Sequence, residues 1–224
     1  MMVKAALFDL DGTLLDTLRD LHDSVNEMLE HFGYQQIKIE STRKFVGNGM
    51  RKLVERSIGK EISKEMFDEC MAYFVKRYDL NMKKHTCPYE KTVDVLRSLK
   101  EKGLITAVVS NKNADAVAKL CDEQFNGLVD IKLGVDENHP PKPNPEMVNK
   151  AIAALGLKAD ECIFIGDGET DIQTAKNANM KSICVLWGFR DKEDLEQYSP
   201  DYFVSSPEEI LCIFEKLIDI SDKK

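Results

Sequence analysis

A chain of 224 residues, 43% of them hydrophobic, is long enough for one large or two modest domains with a substantial core. Its net charge of −8 argues against nucleic acid as the main partner, because binding a phosphate backbone needs clustered Lys and Arg. The opening apolar run is too short, and meets acids too early, for a signal peptide or a membrane span, so a cytoplasmic protein with a small-molecule substrate is expected.

The first element is a strand, Val3 to Phe8, that ends in carboxylates on alternate positions, Asp9 and Asp11, followed by Gly12. In an open α/β sheet ligands bind at the carboxyl ends of the strands, so these acids should arrive where a reacting group can reach them. Next comes a helical block. Leu18, Leu21, Val25, Met28, Leu29 and Phe32 recur at helical spacing and stop at Gly33, and Met66, Phe67, Cys70, Met71, Phe74, Val75 and Tyr78 repeat the pattern. Between them lies Phe45-Val46-Gly47-Asn48-Gly49-Met50-Arg51-Lys52-Leu53, and no strand is expected between Asp16 and about Lys84.

From Pro88 the pattern changes to βαβ alternation. A helix over Thr92 to Lys102 precedes the strand Ile105 to Val109; a helix over Ala114 to Gln124 precedes Val129 to Leu133; Glu146 to Leu155 precedes Cys162 to Ile165. Ser182 to Leu186 and Tyr202 to Val204 read as further strands, and Ser206, Pro207 and Glu209 as the capped start of the last helix. The cysteines (Cys70, Cys87, Cys121, Cys162, Cys184, Cys212) have no C-x-x-C pair and read as buried free thiols in a reducing compartment. The expected fold is α/β: a doubly wound, mainly parallel, Rossmann-like core from residues 1–15 and 84–224, with residues 16–83 inserted as a helical cap.

Four strand ends then carry reactive groups: Asp9 and Asp11; Ser110, Asn111 and Lys112; Lys142 among prolines; and Gly166-Asp167-Gly168-Glu169-Thr170-Asp171. Their order, and the D-x-D-G-T-L run from Asp9 to Leu14, resemble the haloacid dehalogenase-like hydrolases in the form used by their phosphatases. Within that superfamily, Val46-Gly47-Asn48-Gly49, Ser110-Asn111-Lys112 and Leu186-Trp187-Gly188-Phe189 resemble bacterial phosphoglycolate phosphatases.

The resemblance implies a Mg²⁺-dependent phosphomonoester hydrolase that works through an aspartyl phosphate. Asp9 would be the nucleophile, Asp11 the proton carrier and Lys142 the fixed positive charge. Asp9, Asp167 and Asp171, with the backbone carbonyl of Asp11, would hold the metal. Thr13, Ser110, Asn111, Lys142 and Arg51 would bind substrate, and Arg43, Lys44 and Lys52 place further cations near the cap segment. Such residue types suit phosphoryl transfer, since an anionic ester repels a carboxylate unless cations offset both. Gly168 stands where the family commonly has a hydroxyl residue, and Glu169 reads as a charge at a helix N-terminus. The substrate would be 2-phosphoglycolate or a similar small phosphorylated metabolite. Phosphatases for sugar phosphates, nucleotides or pyrophosphate, a sugar phosphomutase, and a non-catalytic Mg²⁺ and phosphate-binding module stay open, as does a monomer or small homo-oligomer.

Overall fold

The structure is a computed structural model and describes residues 3–219. The opening strand, β1 (Ala5–Phe8), is buried along its whole length, as expected of a strand covered on both faces. A short strand, β2 (Leu15–Asp16), leads into four helices: α1 (Leu18–His31), α2 (Ile39–Phe45), α3 (Met50–Ile58) and α4 (Lys64–Asn81). The chain returns through β3 (Cys87–Pro88), which pairs antiparallel with β2. That two-stranded ribbon, invisible in the apolar pattern, is where the helical insert joins the rest.

The insert has its own apolar centre. Leu21, Val25, Met28 and Leu29 of α1 face Leu53 and Val54 of α3 and Cys70, Phe74 and Tyr78 of α4. Ser63 starts α4 by accepting a hydrogen bond from the Met66 N–H at 3.2 Å. A buried carboxylate ties the insert to its exit strand: Asp20 accepts from the N–H groups of His85 and Thr86 and from the Thr86 hydroxyl, at 3.0, 2.9 and 2.8 Å.

The remaining elements alternate as expected: α5 (Thr92–Glu101), β4 (Ile105–Asn113), α6 (Ala114–Phe125), β5 (Ile131–Val135), α7 (Glu146–Ala154), β6 (Cys162–Gly166), α8 (Glu169–Asn177), β7 (Lys181–Val185), α9 (Lys192–Glu196), β8 (Tyr202–Val204) and α10 (Pro207–Asp219). The six-stranded sheet runs in the order β5-β4-β1-β6-β7-β8 with every pairing parallel. Alternate residues of each strand serve opposite faces. Phe8, Val108, Ile163 and Ile165 pack under α5, α6 and α10, while Leu7, Ala107, Val109 and Phe164 pack under α7 and α8. Helices on both faces of a parallel sheet make the doubly wound core that the alternation predicted, and β1 lies between β4 and β6 within it.

Three details differ from the sequence reading. β4 runs past the expected Val109 to Asn113, so Ser110, Asn111 and Lys112 lie within the strand rather than just beyond it. Cys87 and Cys212 are exposed, while the other four cysteines are buried. At the last helix, Glu209 accepts from the N–H of Ser205 at 3.3 Å, one residue before the expected cap.

Candidate active site

β1, β4 and β6 are neighbours in one sheet and end on the same side, so Asp9, Ser110 and Asp167 emerge close together. Beyond Asp9 the chain turns at Gly12, whose φ is +86°. A side chain there would be doubly unfavourable, because a Cβ would also overlap the Asp167 carboxylate.

Asp9 Oδ1 accepts from the Leu10 N–H at 2.7 Å and lies 2.8 Å from Lys142 Nζ. The same ammonium donates to Asp171 Oδ1 at 2.6 Å. Lys142 is 3% exposed, and its backbone N–H donates to Asn111 Oδ1 at 2.6 Å, so the proline-rich loop is fastened to the end of β4. Asp167 accepts from the Thr13 hydroxyl at 3.2 Å and from the Phe189 N–H at 2.7 Å. Asp171 also accepts from the Gly168 N–H at 3.0 Å. One oxygen from each of Asp9, Asp167 and Asp171 lies within 4.8 Å of the others.

Burial dominates the electrostatics. Desolvation pushes the Asp9 carboxyl up to about 7 although Lys142 opposes it. Asp167 is pushed up to about 8 by burial, with the charges of Asp171 and Asp9 adding to the effect. Burial alone would lower Lys142, but Asp171 and Asp9 outweigh it and hold the ammonium charged. Five carboxylates (Asp9, Asp11, Asp167, Glu169, Asp171) face three cations (Lys112, Lys142, Arg190), leaving a formal −2 that one dication offsets. Three converging hard oxygen donors suit Mg²⁺, which takes carboxylates together with water and substrate phosphate.

Asp11 is held by a residue the sequence reading quoted but gave no role. Lys112 Nζ donates to both Asp11 carboxylate oxygens at 2.9 Å and sits 4.8 Å from the ring centre of Tyr78 on α4. The sequence reading ended this strand at Val109, and the register shift between Val109 and Asn113 breaks the regular alternation there, so no strand pattern pointed to Lys112. The pocket over these groups is closed by the insert, through Val46, Gly47, Gly49, Met50 and Leu53, and by Phe189 and Arg190.

A model of the haloacid dehalogenase-like hydrolase family matches residues 6–185, most of the chain. The chain belongs to the haloacid dehalogenase-like hydrolases. It is 31% identical to the phosphoglycolate phosphatase of Aquifex aeolicus over 96% of this chain and 99% of that one. The phosphoglycolate phosphatase of Psychrobacter arcticus is 35% identical, over 87% of this chain and 88% of its own. A solved protein from Lactobacillus delbrueckii subsp. bulgaricus, provisionally assigned to the same enzyme class, superposes with a TM-score of 0.91 at 32% identity. That match covers 96% of this chain and 99% of the other. This hydrolase is thus a phosphatase of the family.

The family's expected site residues fall into three groups here. Asp9, Asp11, Ser110, Asn111, Asp167 and Asp171 line the pocket, and Lys142 touches two of them. Thr13 turns its hydroxyl to Asp167 and is not a lining residue, and Asn111 spends its side chain on Lys142 and on the Gly47 carbonyl. Arg51 is not brought to this hydrolase's pocket. It lies over the Phe67 ring, 3.8 Å from Asp68, in a separate groove of ≈ 910 Å³ on the insert. Arg43, Lys44 and Lys52 do not line the pocket either. Sequence reading passed over Arg190, a pocket residue with no periodic or motif signal to mark it. Among the described residues no helix is long and apolar enough to cross a membrane.

Proposed function

We propose that the protein is a Mg²⁺-dependent phosphomonoester hydrolase acting through an aspartyl phosphate on Asp9, with 2-phosphoglycolate or a similar small phosphorylated metabolite as substrate. The observation that carries this is Lys142, one ammonium against both Asp9 and Asp171, beside a third carboxylate on Asp167. Asp9 attacks phosphorus in line, and the leaving oxygen departs on the opposite side. Lys142 offsets the charge of nucleophile and ester, and the Ser110 hydroxyl and backbone N–H groups past Asp9 take the phosphoryl oxygens as charge spreads over them. Asp11 protonates the leaving oxygen and then takes a proton from the water that hydrolyses the acyl phosphate. To do so it turns one oxygen away from Lys112, which holds both here. Asp9, Asp167 and Asp171, with the Asp11 carbonyl, are the residues that would hold Mg²⁺, which when bound supplies positive charge to the phosphoryl oxygens.

Residues 16–83 act in this reading as a lid that selects the leaving group. The names of the relatives support a small substrate. The test is a panel of phosphomonoesters assayed for released phosphate with and without Mg²⁺. The expected outcome is metal-dependent release, fastest from 2-phosphoglycolate. Equal rates on unrelated sugar phosphates would reject the substrate, transfer without free phosphate would indicate a mutase, and no turnover of any ester would leave only a binding module.

A further inference from the structure

Arg190, in the loop after β7, stands where the insert meets the core, and each nitrogen of its guanidinium is used. Nε donates to Glu169 Oε2 at 3.0 Å, Nη1 to the Arg43 carbonyl at 3.0 Å and Nη2 to the Val46 carbonyl at 2.6 Å. The Arg43 carbonyl belongs to the last turn of α2, where a helix has no N–H of its own to offer. Arg190 and Glu169 side chains are 13% and 25% exposed, so their attraction is only partly screened.

The segment gripped in this way depends on glycine. Gly47 has φ +112°, and a Cβ on it would lie 3.1 Å from Arg190 Nη2. Four further bonds cross the same join: Asn111 Nδ2 donates to the Gly47 carbonyl at 3.1 Å, Asn48 Nδ2 to Glu169 Oε1 at 3.5 Å, and Arg43 Nη2 to the Gly188 carbonyl at 3.3 Å and to Asp191 Oδ1 at 2.9 Å. Val46, Gly47 and Gly49, with Met50 and Leu53 beyond them, form the pocket wall on the insert side. Glu169 opens α8, two residues before Asp171, so one ion pair joins that wall to the helix that carries a cluster carboxylate.

We propose that Arg190 is a specificity-determining positioning residue: by clamping the Arg43 and Val46 carbonyls to Glu169, it sets the height and shape of the wall that meets the leaving group. The inference rests on the phosphatase reading above. It assigns discrimination between small and bulky esters to a core arginine acting through the insert, and no contact between Arg190 and substrate is required.

The experiment compares the intact protein with Arg190→Gln, Arg190→Lys and Glu169→Gln. One arm follows amide hydrogen exchange over residues 43–49; the other measures, with Mg²⁺, the ratio of kcat/KM for 2-phosphoglycolate to that for p-nitrophenyl phosphate. In Arg190→Gln, exchange over 43–49 should rise and the ratio should fall about tenfold or more, the scale of a pocket contact that discriminates between substrates. Arg190→Lys should recover part of both, and Glu169→Gln should move both the same way by less. Equal loss on the two esters would show a merely structural arginine and overturn the proposal, as would an unchanged ratio. If Arg190→Gln fails to fold, Glu169→Gln decides, and an unchanged ratio there overturns it too. If the unaltered protein releases phosphate from neither ester, the phosphatase reading fails, and the exchange arm still shows whether the clamp exists.

Discussion

The core and the insert build their halves of the site by different means. On the core side, charged groups are fixed by other buried groups: Lys142 by Asp9, Asp171 and Asn111, and Asp167 by Thr13 and Phe189. On the insert side, the wall is backbone and apolar surface, held from outside by Arg190 and Asn111. A reaction needs charges that do not rearrange, whereas selection needs a surface that can be reshaped without disturbing them. The proposed phosphatase reading assigns the first task to the sheet edge and the second to the insert.

The comparison breaks if the core loses its charges and turnover survives. Asp9→Asn should reduce Mg²⁺-dependent phosphate release to background while circular dichroism and the melting cooperativity stay native. Lys142→Met comes next, with an expected loss of about 10²–10³ in kcat, the scale of one fixed stabilising group. It should also melt earlier in denaturant titration, because removing one partner of a buried ion pair strands the other, at about 3–5 kcal/mol. Chelation should remove activity reversibly, with recovery on added Mg²⁺ read by the same assay.

Acidity offers a way to sharpen the contrast. In metal-free protein Asp9 and Asp167 are pushed from 3.8 to about 7 and about 8. The folded chain then keeps protons that the unfolded chain releases, so stability is greatest below about pH 4 for these groups and falls as pH rises to about 8. Urea midpoints of chelated protein across that range should decline from this contribution, and added Mg²⁺ should raise them most at the alkaline end.

The insert's own changes should be smaller and act on stability or KM. Asp20→Ala leaves the buried Thr86 donors and the His85 N–H without an acceptor, and about 1–3 kcal/mol should be lost in chemical denaturation. Arg51→Ala should be the mildest, with KM for 2-phosphoglycolate moving less than about twofold. A large KM effect there would mean that the insert rotates far enough to bring its outer groove to the substrate.

Much of the core could be read from the chain because its signals are local. An apolar run stopping at Asp9 and Asp11, and β-branched runs alternating with helical spacing, each fit inside a short window. The expected meeting of Asp9, Lys142, Asp167 and Asp171 came from the resemblance, and the parallel order β4-β1-β6 is its physical cause. What stayed hidden depends on contacts between distant segments. Nothing local marks Arg190 as the partner of Val46, or Asp20 as the acceptor for Thr86. Arg51 shows the opposite failure, since a cation near the right segment was expected in the pocket and its helix turns it outward to Phe67 and Asp68.

The placement of β1 also bears on how the molecule is made. Its partners begin at Ile105 and Cys162, so during synthesis β1 waits about a hundred residues for its first partner and more than one hundred and fifty for its second. Until the first arrives an apolar strand is open on both sides, while the insert helices, whose contacts are close in sequence, can already assemble. A ribosome that stalls before residue 105 therefore releases a chain whose insert helices can form while β1 stays unpaired and aggregation-prone, and one that stalls between 113 and 162 leaves one edge of β1 open.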